Sequence, residues 1–225
     1  MDSTTAQGDK YYGYAGNTEN AGAILSIPLG HGYAWNETAS TDYTTFGGWM
    51  QDTFFVAQIN RSGVASEHGR PIGVTEDVAV FGNRTGSSPT AASLKTTLSR
   101  RAHWTGAMVG VDKSIASNSP RYGRGIVGRS SLILNEISNP SSPLTVRLFD
   151  MIDTVEGKSY SDIVWDDVAI NNDGDFRVED GSSKVVLWGT FYGADHREAG
   201  GVFDKNSIVG SFGATRDPAL QDATD

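Results

Sequence analysis

Val185-Val-Leu-Trp-Gly-Thr-Phe-Tyr-Gly193, Glu198-Ala-Gly-Gly-Val-Phe203 and Ile208-Val-Gly-Ser-Phe-Gly-Ala-Thr-Arg216 are three short apolar and aromatic runs interleaved with glycine. A meander of short antiparallel strands accounts for that rhythm. None of the runs offers a nucleophile, a metal-binding cluster or a phosphate loop. The stretch therefore points to a binding barrel rather than an enzyme.

The same rhythm extends back along the chain. It predicts strands near 102–111, 124–134, 143–151, 162–170, 174–179, 184–193, 198–204 and 207–214. Asn171-Asn-Asp-Gly174 predicts a tight hairpin, because Asn, Asp and Gly tolerate positive φ. Asp180-Gly181 and Asp204-Lys-Asn206 also fit turns, and Asn139-Pro-Ser-Ser-Pro143 reads as a surface loop. Eight consecutive antiparallel strands leave exposed edges unless they close. A barrel of that size is narrow enough to be filled by side chains. Val109, Val111, Ile126, Leu132, Leu134, Val146, Leu148, Leu187, Phe191 and Phe203 are the expected filling. The fold class is all-β, with a C-terminal eight-stranded antiparallel β-barrel over 101–216. A small β-rich region over 1–100 precedes it, and 217–225 form a flexible tail.

Upstream, Tyr43–Met50 and Thr53–Ile59 are dense in aromatic and β-branched residues and read as a hairpin. Residues 62–77 read as a loop, Val78–Phe81 as a short strand and Ala91–Ser99 as one or two helical turns. Residues 1–40 read as irregular apart from Ala23–Ile27.

A hydrophobic share of 38% permits a real core, and 27 glycines imply a turn-rich soluble protein rather than a disordered one. The net charge of −9 excludes a general nucleic-acid footprint. One local exception is the run holding Arg100, Arg101, Lys113, Arg121, Arg124 and Arg129 against the single acid Asp112. Ordinary surface charge explains it, although a basic face attracts acidic partners. There is no cysteine, so disulfides and thiolate metal sites are excluded. No apolar run approaches the roughly 20 residues of a transmembrane segment. Met1–Thr5 shows no signal peptide, as expected once a leader has been removed.

Asp150, Asp153, Asp166 and Asp167 have no spacing that turns them into one pocket, and surface solvation is the expectation for all of them. Asn171–Asp175 echoes a calcium loop but lacks its downstream Glu. Sequons at Asn36, Asn60 and Asn83 carry no meaning in a bacterial protein. Tyr33, Trp35, Phe46, Trp49, Met50, Phe54 and Phe55 crowd large aromatic and sulfur side chains into one short region. Such residues are enriched at interface hot spots, so Tyr33, Trp35, Trp49, Met50, Phe54 and Phe55 are the candidate ligand-binding residues. Alternate members of the set are equally expected to pack on the barrel.

Gly189-Thr-Phe-Tyr-Gly193, Glu198-Ala-Gly-Gly201, Phe212-Gly-Ala-Thr-Arg216 and the opening Trp104-Thr-Gly106 resemble the barrel domain of transferrin-binding protein B and its relatives. That group includes factor H-binding proteins and secreted hemophores of Gram-negative bacteria. Thr44-Thr-Phe-Gly-Gly-Trp49 and Ala79-Val-Phe-Gly82 resemble the handle sheet of the same group. The resemblance covers roughly 41–216 and corresponds to a single lobe, where transferrin-binding protein B has two. It implies a non-catalytic binding protein at the outer-membrane surface, or secreted, that captures an iron-bearing or other macromolecular ligand. Its implied partners are a protein of the envelope or of a host, and a TonB-dependent receptor. It implies no resident cofactor, unless the chain is of the hemophore type. Heme would then need axial ligands, for which His31 and His68, read as loop positions, are the candidates. A structural or adhesive envelope protein is the other alternative. Glu198-Ala-Gly-Gly201 is expected to be structural, since glycine within strands marks close backbone approach.

Overall fold

The computed structural model describes residues 2–4, 10–12, 27–33, 40–60, 75–82, 102–114, 125–134, 144–153, 157–171 and 174–217. The upstream strands are β1 (Asp2–Thr4), β2 (Lys10–Tyr12), β3 (Ile27–Tyr33), β4 (Ser40–Trp49), β5 (Thr53–Asn60) and β6 (Thr75–Gly82). The barrel strands are β7 (Ala102–Asp112), β8 (Gly125–Leu134), β9 (Leu144–Asp153), β10 (Ile163–Val168), β11 (Phe176–Glu179), β12 (Val185–Tyr192), β13 (Glu198–Lys205) and β14 (Ile208–Arg216). Among the described residues, no helix is long and apolar enough to cross a membrane.

The barrel is one eight-stranded antiparallel sheet in the order β10-β9-β8-β7-β14-β13-β12-β11. Its first and last strands pair along their lengths, from Ile208↔Asp112 to Arg216↔Trp104. The seam falls instead between β10 and β11, which are joined by the Asn171 turn. There a single bridge, Ile170↔Phe176, links them. Lys205 spans the rest of the seam. Its Nζ donates to the Val164 carbonyl at 2.7 Å and sits 4.8 Å from the centre of the Trp165 ring. The cylinder is thus nearly closed.

Side chains alternate along each strand, so one set fills the interior. Trp104, Met108, Ile126, Leu132, Leu134, Leu144, Val146, Leu148, Phe176, Leu187, Phe191, Phe203 and Phe212 are buried together there. Val109 and Val111 are not among them. They lie on the outer face of β7 with Ala107, in a second cluster with Met50, Phe55 and Ala57. The reason is that β7 is covered on both faces, so its apolar residues do not alternate with polar ones.

Turn chemistry is as expected where it is described. At the β10–β11 turn the Gly174 N–H donates to the Asn171 carbonyl at 3.0 Å, and the Asn171 side chain accepts from the Asp175 N–H, also at 3.0 Å. Asp180 Oδ1 accepts from the backbone N–H groups of Ser182 and Lys184 at 2.8 and 3.0 Å. These bonds, the one from the Ser182 hydroxyl foremost, hold its pKa below the ordinary value. Between β13 and β14, Asn206 and Ser207 have φ of 54° and 63°. A two-residue hairpin turn with both φ positive suits Asn but strains Ser. The left-handed conformation costs serine ~1–2 kcal/mol. Glycine gives back ~0.5–1 kcal/mol through its freedom in the unfolded chain. Ser207→Gly is therefore expected to raise the unfolding free energy by about 0.5 kcal/mol, measured as a rise in denaturant midpoint at constant slope. A fall would mean that the serine side chain has a role of its own.

The four-stranded sheet has the order β3-β4-β5-β6, and β1 pairs separately with β2. Several expectations change here. β3 and the β1–β2 pair replace an irregular start, and β6 begins at Thr75 rather than after 77. Asp153, expected at the surface, is only 2% exposed at the end of β9. The helical turns at 91–99 and the loop at 139–143 lie outside the described residues.

Candidate functional site

The outer face of β7, β13 and β14 is unusually small-featured, and the four-stranded sheet lies on it. Met50, Phe55 and Ala57 from the β4–β5 hairpin pack with Ala107, Val109 and Val111, and Val78, Val80 and Val209 border them. Close approach requires glycine at two points. A Cβ on Gly213 would stand 2.6 Å from Met50 Cε and from Phe55 Cδ1, and one on Gly200 would stand 2.7 Å from Val80 Cγ2. Ser211 adds direction by donating its hydroxyl to the Val56 carbonyl at 2.7 Å. The glycines of the C-terminal runs therefore flatten the barrel wall where a second sheet must sit.

Glu198 locks this arrangement. It is 1% exposed, at the start of β13. Its Oε1 accepts from the Gln51 N–H and its Oε2 from the Asp52 N–H, each at 2.9 Å. Both donors belong to the tight β4–β5 turn, whose Met50 N–H donates to the Thr53 carbonyl at 2.7 Å. Arg197 completes the clasp, its Nε and Nη2 each 2.5 Å from Asp52 Oδ2. Gly193, at φ 72°, leaves room for that carboxylate, since a Cβ there would come within 2.3 Å of Asp52 Oδ2. Burial raises the Glu198 pKa above its ordinary value, outweighing the Thr53 hydroxyl and the two turn N–H groups that favour the ion. The Thr53 hydroxyl is itself buried without a regular hydrogen-bond partner. Glu198-Ala-Gly-Gly201 is thus a docking element, with one acidic grip and glycines that admit the sheet.

With one face sealed, the opposite face of the sheet carries the exposed apolar surface. Phe54 stacks on Phe81 with ring centroids 6.2 Å apart and planes 18° from parallel. Phe81 is 59% exposed, the most exposed large apolar side chain among the described residues. The register runs Trp49↔Phe54↔Phe81 across β4, β5 and β6, so three aromatic residues stand in one row of the sheet.

The structure divides the residues singled out from sequence. Met50 and Phe55 are buried at 8% and 0% and serve the docking interface, not an open surface. Phe54 is half-buried on the outward face. Trp49 and Tyr33 are placed by backbone pairing, opposite Phe54 and Ser40 respectively. Trp35 and His68 lie outside the described residues. His31 is in strand β3 opposite Thr44, not in a loop. Phe81 was missed, because a lone aromatic at the end of a short run carries no signal until its register with Phe54 is known.

Other features resolve into local pairings. Lys113 and Lys184 share Asp204, each at 2.5 Å. Burial of Asp204 acts to raise its pKa, but the two ammonium groups outweigh this and hold it below the ordinary value. Arg129 and Arg147 flank the Phe149 ring at 5.4 and 4.8 Å, and Arg147 also meets Asp162 at 2.5 Å. The described members of the basic run are therefore engaged locally. No group of three metal-ligating side chains occurs among the described residues.

No protein-family model and no curated protein matches the chain. Similar solved structures include a surface lipoprotein, at 14% identity and a TM-score of 0.43, covering 74% of this chain and 76% of that one. The N-lobe of lactoferrin-binding protein B of Moraxella bovis is similar at 11% identity and a TM-score of 0.39, covering 93% and 97%. Transferrin-binding protein B of Haemophilus parasuis, as a double mutant, is similar at 12% identity and a TM-score of 0.29 over 77% of this chain, which spans 34% of that one. What those proteins bind is a property of theirs alone.

Proposed function

We propose that this chain is a non-catalytic binding protein of a Gram-negative bacterium, displayed at the cell surface or secreted. It captures a macromolecular ligand through the outward face of its four-stranded sheet. The observation that carries this reading is Phe81, 59% exposed and stacked on the half-buried Phe54, on a sheet whose other face packs on a filled barrel. A stacked aromatic pair loses little conformational entropy on binding, and aromatic residues dominate interface energetics. The iron-bearing class of ligand follows from the sequence resemblance.

The test is capture from host serum on the immobilised chain, comparing the parent with a Phe54→Thr, Phe81→Ser double variant. Capture of a defined serum protein is expected to fall about 10–30-fold, the scale of a lost hot spot. Iron measured in the eluate tells an iron-bearing ligand from another. Capture undiminished by the double variant, with its melting unchanged, would sink the reading.

A further inference from the structure

We infer that β6 is a strand-addition site for an extended polypeptide segment that carries an apolar residue and a Lys or Arg four positions apart. The inference rests on the reading above and names the partner of the same face.

A free sheet edge offers unpaired N–H and C=O groups in register, which is a template for another strand. The described sheet edges differ in how they are guarded. At the barrel seam, β11 has only four residues. β10 carries a register shift between Trp165 and Val168, with Asp167 at φ 55°. The Val164 carbonyl is already taken by Lys205. Short length, irregularity and an obstructing lysine are the usual defences against added strands. β6 has none of these over Asp77–Gly82. It pairs regularly with β5 from Gln58↔Asp77 to Thr53↔Gly82, and among the described residues no strand pairs with its other side.

The chemistry of the occupant follows from register. Residues of the same parity share a face of a strand, which groups Phe81, Ala79 and Asp77. Phe81 presents its exposed ring beside this edge. Asp77, next to Glu76, lies about 13 Å along the strand, in a chain of net charge −9. An added strand would set an apolar side chain against Phe81 and a cation level with Asp77. The backbone is held in place beforehand. Val80 is seated on Gly200, and Gly82 lies against the Tyr192 ring so closely that a Cβ would come within 2.1 Å of Cδ1.

The probe is a short synthetic peptide alternating valine and threonine, with phenylalanine and lysine four positions apart. Its control carries N-methyl groups on alternate amides. The intact chain is followed by hydrogen exchange. Bound peptide is expected to slow exchange across β6 about tenfold, and the methylated control to leave it unchanged. Phe81→Ser should weaken the peptide about tenfold, and Asp77→Lys should reverse the preference from lysine to glutamate at the charged position. No slowing at millimolar peptide, equal slowing by the methylated control, or slowing at β10 instead overturns the inference. Phe81→Ser that abolishes serum capture without any peptide effect on β6 would leave the binding face standing and remove only the strand-addition mode.

Discussion

Replacing Trp104 by alanine is expected to destabilise the barrel by about 3–5 kcal/mol, the cost of truncating a large buried aromatic. Trp104 is fully buried on the opening strand β7. Its ring lies 5.1 Å from Phe191, which in turn contacts Phe176 at 5.6 Å. Its indole N–H donates to the His196 carbonyl at 2.8 Å. That carbonyl belongs to the turn Ala194–His196, where Asp195 and His196 have φ of 56° and 54°. Alanine would leave a cavity and strip the strained turn of its donor. Proteins of this size lose about 2–4 °C in melting temperature per kcal/mol, so a fall of about 6–20 °C follows. Trp104→Phe separates the two contributions. It keeps an aromatic ring in the core, loses the hydrogen bond at about 0.5–1.5 kcal/mol, and leaves a smaller void than alanine does. A loss below about 1 kcal/mol for the alanine variant would show that the barrel closes without this plug.

Glu198→Ala is expected to free the four-stranded sheet from the barrel while leaving the barrel folded. Hydrogen bonds to a charged group contribute about 1.5–3 kcal/mol each, reduced here by the desolvation of a 1% exposed carboxylate. A net loss of about 2–4 kcal/mol in docking is expected. Exchange at Phe55–Ala57 and Val78–Val80 should accelerate, with interior amides around Leu132 and Phe212 unchanged. Simultaneous loss of both layers would contradict a separable latch.

Glu198→Gln addresses the pH dependence. The Glu198 pKa is raised above its ordinary 4.5 in the folded state. As pH climbs past 4.5 the unfolded chain releases this proton first, so the folded state binds more protons and stability declines. The decline ends once pH exceeds the raised folded value. Asp204 acts in the opposite sense. Its depressed pKa contributes stability above the ordinary 3.8 that is lost as pH falls through the folded value. The glutamine variant should therefore flatten the decline above 4.5 and keep the acid limb. An unchanged decline would assign it to another group.

Much of the architecture was legible because its causes are local. Alternation marks a strand that is half-buried, as in β9, where Leu144, Val146 and Leu148 are buried and Arg147 is exposed. Turn residues act locally, so three turns were legible: Asn171 and Asp180 accept backbone N–H groups with their side chains, and Asn206 takes a positive φ. β7 misled because both of its faces are covered. Nothing in Met108-Val-Gly-Val111 tells an inward residue from one lying under a second sheet. Phe55 and Phe54 likewise read alike as neighbours in an aromatic run, and only the seating of the sheet turned one inward and left the other outside.

The chain order of residues determined by itself that this is an all-β protein with a meander of eight strands. Period-two patterning and turn stereochemistry act over a few residues and need no partner. The tertiary structure alone decided that Glu198 grips Gln51 and Asp52, that Gly200 and Gly213 form a seat for another sheet, and that the exposed Phe81 stacks on Phe54. Glu198 and its partners are 147 and 146 positions apart in the chain. Contacts at that separation arise from how two sheets are packed, and no local pattern encodes them.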